Sequence, residues 1–179
     1  MNELHPGDVF AGRFEINRLA GSGGMGSVYL CRDRFSGGAA ALKLLHKSGS
    51  DPHEAERFVR EAQLLAELSH PGIVSYLGHG QTPHGQRFLA MEWLDGQDLG
   101  KRLARGPLAL GEAIRLLRDI ATALSAAHER GIVHRDIKPT NIFLVGGDLQ
   151  RPKLLDFGIA RRLSSADAMT RTGIVVGTL

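Results

Sequence analysis

The eight residues "HRDIKPTN", His134 to Asn141, place cationic side chains, a carboxylate and an amide in one short stretch. Asp136 can accept or orient a hydroxyl proton, and Lys138 can stabilise an anionic group during its transfer. Asn141 offers an amide oxygen to a hard cation such as Mg²⁺. The stretch therefore has the residue types needed for general-base and electrostatic catalysis on an anionic group.

A second carboxylate, Asp156, stands in "LLDFG" directly after a short apolar run. Mg²⁺ prefers carboxylate oxygen, and Gly158 allows the backbone to turn sharply beside it. Taken singly, Asp136 and Asp156 also fit ordinary turn or cap positions. The ordered combination of both acids with Lys138 and Asn141 has no comparable structural explanation, and we interpret it as a catalytic set.

Glycines form a G-x-G-x-x-G pattern at Gly21, Gly23 and Gly26, within "GSGGMGSVYL". Where side chains are missing, backbone N–H groups can approach a polyphosphate closely. A plain flexible hairpin also explains the pattern when it stands alone. In a dinucleotide-binding loop a helix would follow, whereas Val28 and Leu30 resume a strand, so we interpret the loop as a hairpin lid.

Lys43 interrupts the apolar run of residues 39–45, and burying its ammonium group is costly unless an opposite charge meets it. The helix that follows offers Glu61, near the inward edge of an apolar face that includes Phe58 and Leu65. A lysine held by this glutamate would keep donors for phosphate oxygens. The alternative interpretations are a lysine snorkelling from an edge strand and an ordinary solvated helix acid.

Apolar patterns predict a first lobe of antiparallel strands with one main helix, and a helical second lobe. The predicted strands of the first lobe are residues 13–19, 27–32, 39–45, 73–80 and 87–93, and the helix covers 51–68. A change in composition at residues 94–100 divides the chain into a lead-in (1–13), a first lobe (14–94) and a partial second lobe (95–179).

In the second lobe, a long amphipathic helix is predicted over Leu110 to Arg130, ending at Gly131. Its predicted apolar face consists of Ala113, Ile114, Leu117, Ile120, Ala121, Leu124 and Ala127. Two short strands are predicted at 141–145 and 153–158, and the residues beyond them read as a flexible segment.

Composition excludes several classes of function. The formal charge of +3 is spread along the 179 residues, and the aromatic residues are not interleaved with basic ones, which argues against nucleic-acid binding. Cys31 is the only cysteine, so an internal disulfide is excluded and a reducing compartment is favoured. Since no secretory signal or membrane-length apolar run is found, we expect a cytoplasmic chain, although a membrane anchor beyond residue 179 remains open.

In combination, the glycine-rich loop, Lys43, the stretch around Asp136 and "DFG" resemble the protein kinases of the eukaryotic type. "GSGGMGSVYL" and "HPGIV" are most similar to the bacterial serine/threonine branch, and Lys138 is typical of serine/threonine kinases. The resemblance covers residues 14–178. It implies an α+β, bilobal kinase fold and transfer of the γ-phosphoryl group of ATP to protein serine or threonine hydroxyls.

The resemblance also implies a role for each site residue. Lys43 would hold the α- and β-phosphates while pairing with Glu61, Asp136 would position the substrate hydroxyl, and Asn141 and Asp156 would bind Mg²⁺ or Mn²⁺. The loop residues expected to cover the ATP phosphates are Gly21, Ser22, Gly23, Gly24, Met25 and Gly26. The residues expected around the adenosine are Val28, Ala41 and Phe143 on the adenine faces, Met91 as gatekeeper, Glu92 and Leu94 at its edge, and Asp98 at the ribose.

Arg135 indicates regulation by phosphorylation. A buried guanidinium beside the catalytic acid would attract a phosphate and so order a neighbouring loop. Thr170 and Thr172 lie where related bacterial kinases carry activation-loop phosphothreonines. We therefore expect autophosphorylation at one of these threonines, in trans within a kinase homodimer.

In the resembling family, further helices follow the "GT" at residues 177–178 and complete the second lobe. One hypothesis is that the chain is the N-terminal part of an active kinase, with little or no activity as an isolated fragment. The alternative is a nucleotide-binding remnant with a regulatory role, which would be expected to have lost Lys43, Asp136 or Asp156. A small-molecule phosphotransferase is disfavoured by the complete set of motifs.

Overall fold

A computed structural model of the chain describes residues 4–23, 26–45, 52–82 and 85–157, and only the backbone of residues 52–55 and 57. In the described part of the first lobe there is one helix, α1 (Pro52–Ala66). Its strands are β1 (Val9–Phe10), β2 (Phe14–Gly23), β3 (Gly26–Asp33), β4 (Ala39–Leu45), β5 (Tyr76–Gln81) and β6 (Arg87–Glu92). These elements form one sheet with the strand order β1-β2-β3-β4-β6-β5, in which every neighbouring pair is antiparallel.

A side-chain hydrogen bond joins the two ends of this sheet. Arg13, in the turn between β1 and β2, donates from Nη1 to the carbonyl oxygen of Leu77 in β5 at 2.9 Å. Leu77 lies at an irregularity in the pairing of β5 with β6, where its carbonyl is turned out of the regular ladder. The sheet is therefore curled, and its first and last strands approach each other.

Period-two alternation along β4 explains why the sheet has a core on each face. Ala40, Leu42 and Leu44 pack in one apolar cluster with Phe14 and Tyr29. The intervening residues Ala41 and Leu45 belong to the other cluster, together with the α1 residues Phe58, Ala62 and Leu65. Lys43 falls between Ala41 and Leu45 in this alternation, so β4 places it on the face covered by α1.

The second lobe begins with β7 (Gly96–Asp98) and α2 (Leu99–Leu103), followed by α3 (Leu110–His128). A 3₁₀ turn at Pro139–Asn141 leads into β8 (Ile142–Val145), and β9 (Pro152–Leu154) follows it. These three strands form a small antiparallel sheet in the order β7-β8-β9. The predicted α+β bilobal organisation is confirmed, while β1, β7 and α2 were not predicted.

The apolar pattern predicted for α3 is only partly buried in this chain. The buried residues of α3 are Leu116, Ile120, Ala123 and Ala127, of which Ile120 and Ala127 belong to the predicted pattern. Ile114 and Leu117 of that pattern are 58% and 66% exposed. The buried side packs against β9 and against the loop at Gly72, where a Cβ would lie 3.1 Å from Ala123 Cβ.

The predicted strand at residues 73–80 begins later than expected, because its first residues bond to the second lobe. Ile73 pairs with Leu154 of β9, Val74 N donates to Leu154 O at 3.0 Å, and Leu154 N donates to Gly72 O at 2.8 Å. Residues 72–74 therefore join the lobes, and β5 starts only at Tyr76. None of the helices in the described ranges is both long enough and apolar enough to cross a membrane.

Candidate active site

The glycine-rich segment forms the hairpin between β2 and β3, with Gly21 opposite Val28, Ser22 opposite Ser27 and Gly23 opposite Gly26. Gly24 and Met25, also expected at the phosphates, lie outside the described residues. Gly26 has φ of 143°, and a Cβ there would lie 2.0 Å from the carbonyl oxygen of Leu44. A Cβ at Gly21 or Gly23 would meet no atom within 4 Å. Packing therefore requires glycine at 26, whereas at 21 and 23 the described fold does not.

Lys43 points from β4 to a carboxylate of the second lobe. Its ammonium nitrogen lies 2.6 Å from Asp156 Oδ1, and its side chain is 9% exposed. Glu61 is half-buried on α1, directly before buried Ala62. The pairing of Lys43 with Glu61 remains a prediction.

The residues around Asp136 form a compact hydrogen-bonded loop. Asp136 Oδ2 accepts from Lys138 Nζ at 2.9 Å and from Asn141 Nδ2 at 3.1 Å, and Asn141 Nδ2 also donates to Asp136 O at 2.8 Å. The 3₁₀ turn that Pro139 begins brings Asn141 back to Asp136. These bonds fix the orientation of the Asp136 carboxylate and bring together three of the five expected catalytic side chains, Asp136, Lys138 and Asn141.

His134 joins this loop to Leu155 and Phe157. Its Nε2 is 2.7 Å from Leu155 O, so this nitrogen donates, and its Nδ1 accepts from Asp136 N at 3.4 Å. Its ring packs against Phe157 with centroids 4.6 Å apart. Burial lowers the pKa of His134, outweighing the hydrogen bond to Leu155 and the negative charges of Asp136 and Asp156. The imidazole is therefore held neutral, with its proton on Nε2.

The donor set near Asp156 suits a hard divalent cation. Asn141 uses its amide nitrogen on Asp136, which leaves the amide oxygen as its acceptor atom. Leu155 N donates to Asn141 O at 2.9 Å, which holds Asn141 beside the residue that precedes Asp156. Asp156 has φ of 50°, a left-handed conformation that turns the chain directly after Leu155. The backbone of Asn141 thus lies beside that of Leu155, one residue before Asp156, and binding of Mg²⁺ by Asn141 and Asp156 remains a prediction.

The residues expected around the adenosine lie on adjoining strands. Met91 is buried and pairs with Ala41, and Val28 packs at the edge of the same apolar cluster. In the second lobe, Asp98 pairs with Phe143 across β7 and β8. Glu92 and Leu94, half-buried, connect the two groups. The fold therefore places both sets at the junction of the lobes.

Arg135 has φ of 64° and is exposed, so the expectation of a buried guanidinium is wrong. The reason is that His134, the preceding residue, takes the inward place against Phe157. Thr170 and Thr172 lie outside the described residues.

The structure adds residues that the sequence did not single out. Tyr76 lies at the start of β5, and burial raises its pKa, with a further contribution from the charge of Asp156. Lys153 and Ser75 both bond to Glu92, one from β9 and one from the loop before β5. Neither contact follows a local sequence pattern, because the partners are distant in the chain.

Comparison with known proteins agrees with this geometry. A family model described as the protein kinase domain matches residues 14–178. Serine/threonine-protein kinase pkn2 of Myxococcus xanthus is 40% identical over 174 residues, which cover 95% of this chain and 21% of that protein.

Solved structures agree as well. The kinase domain of PknI from Mycobacterium tuberculosis has a TM-score of 0.79 at 37% identity, covering 88% of this chain and 62% of that one. Rad53 1-466 in complex with AMP-PNP has a TM-score of 0.71 at 30% identity, covering 82% and 38%. The chain thus spans about a fifth of pkn2 and less than two thirds of the PknI kinase domain. The chain belongs to the protein kinase family, and its relative pkn2 is a bacterial serine/threonine-protein kinase.

Proposed function

We propose that the protein containing this chain transfers the γ-phosphoryl group of ATP to serine or threonine hydroxyls of proteins. One observation carries the proposal. Asp136, Lys138 and Asn141 bond to one another in a single loop, and Leu155 N holds that loop beside Asp156. Asp156 in turn pairs with Lys43 of the other lobe. The side chains for proton acceptance, charge neutralisation and phosphate binding therefore adjoin one another.

In this reaction the substrate hydroxyl oxygen forms a bond to the γ-phosphorus while the bond from that phosphorus to the β,γ-bridging oxygen breaks, leaving ADP. Asp136 is placed to orient the hydroxyl and accept its proton. Lys138, 2.9 Å from Asp136, offers positive charge beside the group in transfer. Catalysis on this model is mainly positioning and electrostatic stabilisation.

The hairpin Gly21 to Gly26 would cover the phosphates, and Lys43 would contact them. In this arrangement Lys43 would also pair with Glu61, as predicted from the sequence. Mg²⁺ would be held by Asn141 and Asp156, and when bound it would neutralise phosphate charge. The adenine would lie between Val28 and Ala41 on one side and Phe143 on the other. Rad53 1-466, a solved structure similar to this chain, is in complex with AMP-PNP, which supports nucleotide binding by a protein of this fold.

We propose a cytoplasmic location, because a chain with a single cysteine relies on no internal disulfide, which is typical of proteins in a reducing compartment. Autophosphorylation at Thr170 or Thr172, in trans between two copies, is proposed from their positions in the sequence. Mass spectrometry of ATP-treated protein tests this, and phosphate found only at other residues would contradict it.

The test of the main proposal measures transfer of labelled γ-phosphate to casein. It uses the purified 179-residue chain and, separately, a longer protein that contains it. The isolated chain should show little or no transfer, and in the longer protein Asp136→Asn and Lys43→Met should each lower transfer by about 10²- to 10⁴-fold relative to the unchanged protein. Arg118→Met is the matched control, because Arg118 is an exposed cation on α3, remote from the loop.

Transfer that persists unchanged in Asp136→Asn and Lys43→Met would overturn the proposed function. Nucleotide binding without transfer, in both the chain and the longer protein, would overturn it in favour of a nucleotide-binding remnant.

A further inference from the structure

The carboxylate of Glu92 contacts two parts of the chain that are distant from it in sequence. Its Oε1 accepts from the backbone nitrogen of Ser75 at 2.7 Å and from Lys153 Nζ at 2.5 Å. Glu92 is the last residue of β6, and its own backbone nitrogen donates to Ser75 O at 2.9 Å. Glu92 and Ser75 are therefore joined both by a backbone bond and through the side chain.

These contacts tie together both lobes. Ser75 belongs to the loop that follows α1, and Lys153 lies in β9 of the second lobe, one residue before Leu154. Leu154 bonds to Gly72 and Val74 of the same loop. The Glu92 carboxylate thus closes a ring of contacts that includes the end of β6, the loop at residues 72–75 and β9.

The Glu92–Lys153 ion pair is partly shielded from solvent. The side chain of Lys153 is 19% exposed and that of Glu92 is 29% exposed. Burial alone would raise the pKa of Glu92, but the bonds from Lys153 and Ser75 outweigh it and lower that pKa. A partly buried ion pair is screened by salt much less than an exposed one.

The Glu92–Lys153 pair lies beside the segment where the adenine is expected to bind. The segment from Glu92 to Leu94 joins the lobes, and its backbone is where the adenine edge is expected. A ligand that bonds to a backbone edge binds more tightly when that edge is already fixed, because less conformational entropy is lost on binding. Lys153 itself lies in β9, opposite Phe143 of β8, and its side chain reaches the segment through the Glu92 carboxylate.

We propose that Glu92 and Lys153 are positioning residues, whose ion pair fixes the segment Glu92–Leu94 against the second lobe and so sets the affinity for the adenine nucleotide. This inference rests on the proposed nucleotide-binding function. It assigns the Glu92 side chain a task separate from that of its backbone.

The chain carries its own reporter for this test. Trp93 is the only tryptophan in the sequence and follows Glu92 directly. Its Nε1 donates to Asp95 Oδ1 at 2.9 Å, and the guanidinium of Arg18 lies 5.7 Å from its ring centroid. Loosening of the segment should therefore change both the emission of Trp93 and its accessibility to acrylamide.

The experiment compares Lys153→Met with Lys153→Arg, which keeps a cationic donor at the same position. Acrylamide quenching of Trp93 is measured without ligand, and Mg·ADP and Mg·ATP are then titrated using the same fluorescence. Lys153→Met should increase quenching and weaken nucleotide binding by about 3- to 10-fold. Lys153→Arg should restore most of both, and Arg118→Met should change neither.

Glu92→Gln tests the partner, because an amide oxygen can still accept from Ser75 N but carries no charge for Lys153. It should resemble Lys153→Met. Thermal unfolding by circular dichroism checks that each variant is folded.

The possible failures are distinguishable. Quenching and nucleotide affinity of Lys153→Met that equal those of the unchanged chain, or an equal loss in Arg118→Met, would overturn the positioning role. If the unchanged chain and the longer protein bind neither nucleotide, the proposed function fails and this inference with it. Increased quenching in Lys153→Met with unchanged affinity would show a purely structural tie and also overturn the role in binding.

Discussion

The ammonium nitrogen of Lys43 lies 2.6 Å from Asp156 Oδ1, although 113 residues separate the two in sequence. Lys43 stands in the middle of β4 and Asp156 two residues beyond β9, so the ion pair connects the lobes. The lysine is 9% exposed and the aspartate 36% exposed. The pair therefore has one buried and one accessible partner, as expected if the carboxylate must also bind a cation from solution.

Replacing Lys43 should separate catalysis from folding. Lys43→Met fills a similar volume without a charge, so the chain should remain folded while phosphoryl transfer falls by about 10²-fold or more. Lys43→Arg should not rescue transfer, because the planar guanidinium cannot replace a compact ammonium group beside Asp156.

Transfer measured with labelled ATP and circular dichroism spectra check this prediction together, in the longer protein that contains the chain. Full activity in Lys43→Arg would contradict the proposed geometry.

The glycines of the hairpin should respond differently to the same substitution. Gly26→Ala would place a Cβ 2.0 Å from Leu44 O at φ of 143°, so we expect a loss of about 2 kcal/mol or more in the free energy of unfolding. Gly21→Ala meets open space and should change that free energy by less than about 0.5 kcal/mol.

Urea unfolding of both variants measures the difference. Nucleotide titration of Gly21→Ala should show weaker binding, because the added methyl group lies on the hairpin that is proposed to approach the phosphates. Equal stability of the two variants would contradict the close approach of β3 and β4 at Gly26.

Much of this site could be predicted because its signals are local. Asp136, Lys138 and Asn141 lie within six residues of one another and so within one loop. The apolar alternation around Lys43 assigns that lysine to one face of its strand without knowledge of the fold. Such patterns depend on residues a few positions apart, where backbone geometry alone determines which side chains meet.

The remainder depends on long-range packing. Nothing near Glu92 in the sequence indicates that its partners are Ser75 and Lys153. On α3, the sequence pattern does not show that Leu116 and Ala123 are buried while Ile114 and Leu117 are exposed, because this depends on packing against β9 and the loop at Gly72. Arg135 shows the same limit, since its exposure follows from how His134 packs against Phe157.

The stability of the chain should depend on the protonation of His134. Burial lowers its pKa below the ordinary value of 6.5, so near that pH the folded state binds fewer protons than the unfolded state. The free energy of unfolding should then rise with pH and fall as the pH decreases from about 7.5 to about 5. His134→Phe removes this titration while keeping a ring against Phe157.

Urea unfolding at several pH values checks the effect. His134→Phe should be less stable at neutral pH, because Leu155 O loses its donor, but its stability should vary less with pH. His79→Gln is the control, because burial also lowers the pKa of His79. Its effect on the pH dependence of stability should add to that of His134→Phe, since the two histidines titrate independently. Identical pH slopes in His134→Phe and the unchanged chain would contradict the buried neutral imidazole.

Arg13 should be a major stabilising residue of the first lobe. It pairs with Asp33 through two bonds, Nε to Oδ1 at 2.7 Å and Nη2 to Oδ2 at 2.9 Å, and Asp33 is 1% exposed. Arg13→Ala would leave a buried carboxylate without its cation and remove the bond to Leu77 O that curls the sheet. We expect a loss of about 3 kcal/mol in the free energy of unfolding at neutral pH.

The pH dependence identifies the cause of that loss. The hydrogen bond from Arg13 is the largest influence on Asp33 and holds its pKa well below the ordinary range, outweighing burial. The stabilisation is therefore complete above the unfolded pKa and declines as the pH falls below it, so the difference from Arg13→Ala should shrink between about pH 5 and about pH 3. Arg118→Ala, which breaks an exposed pair, should cost less than about 0.5 kcal/mol. A difference between Arg13→Ala and the unchanged chain that stays constant over this pH range would show that packing of the arginine stem, rather than its charge, holds the sheet together.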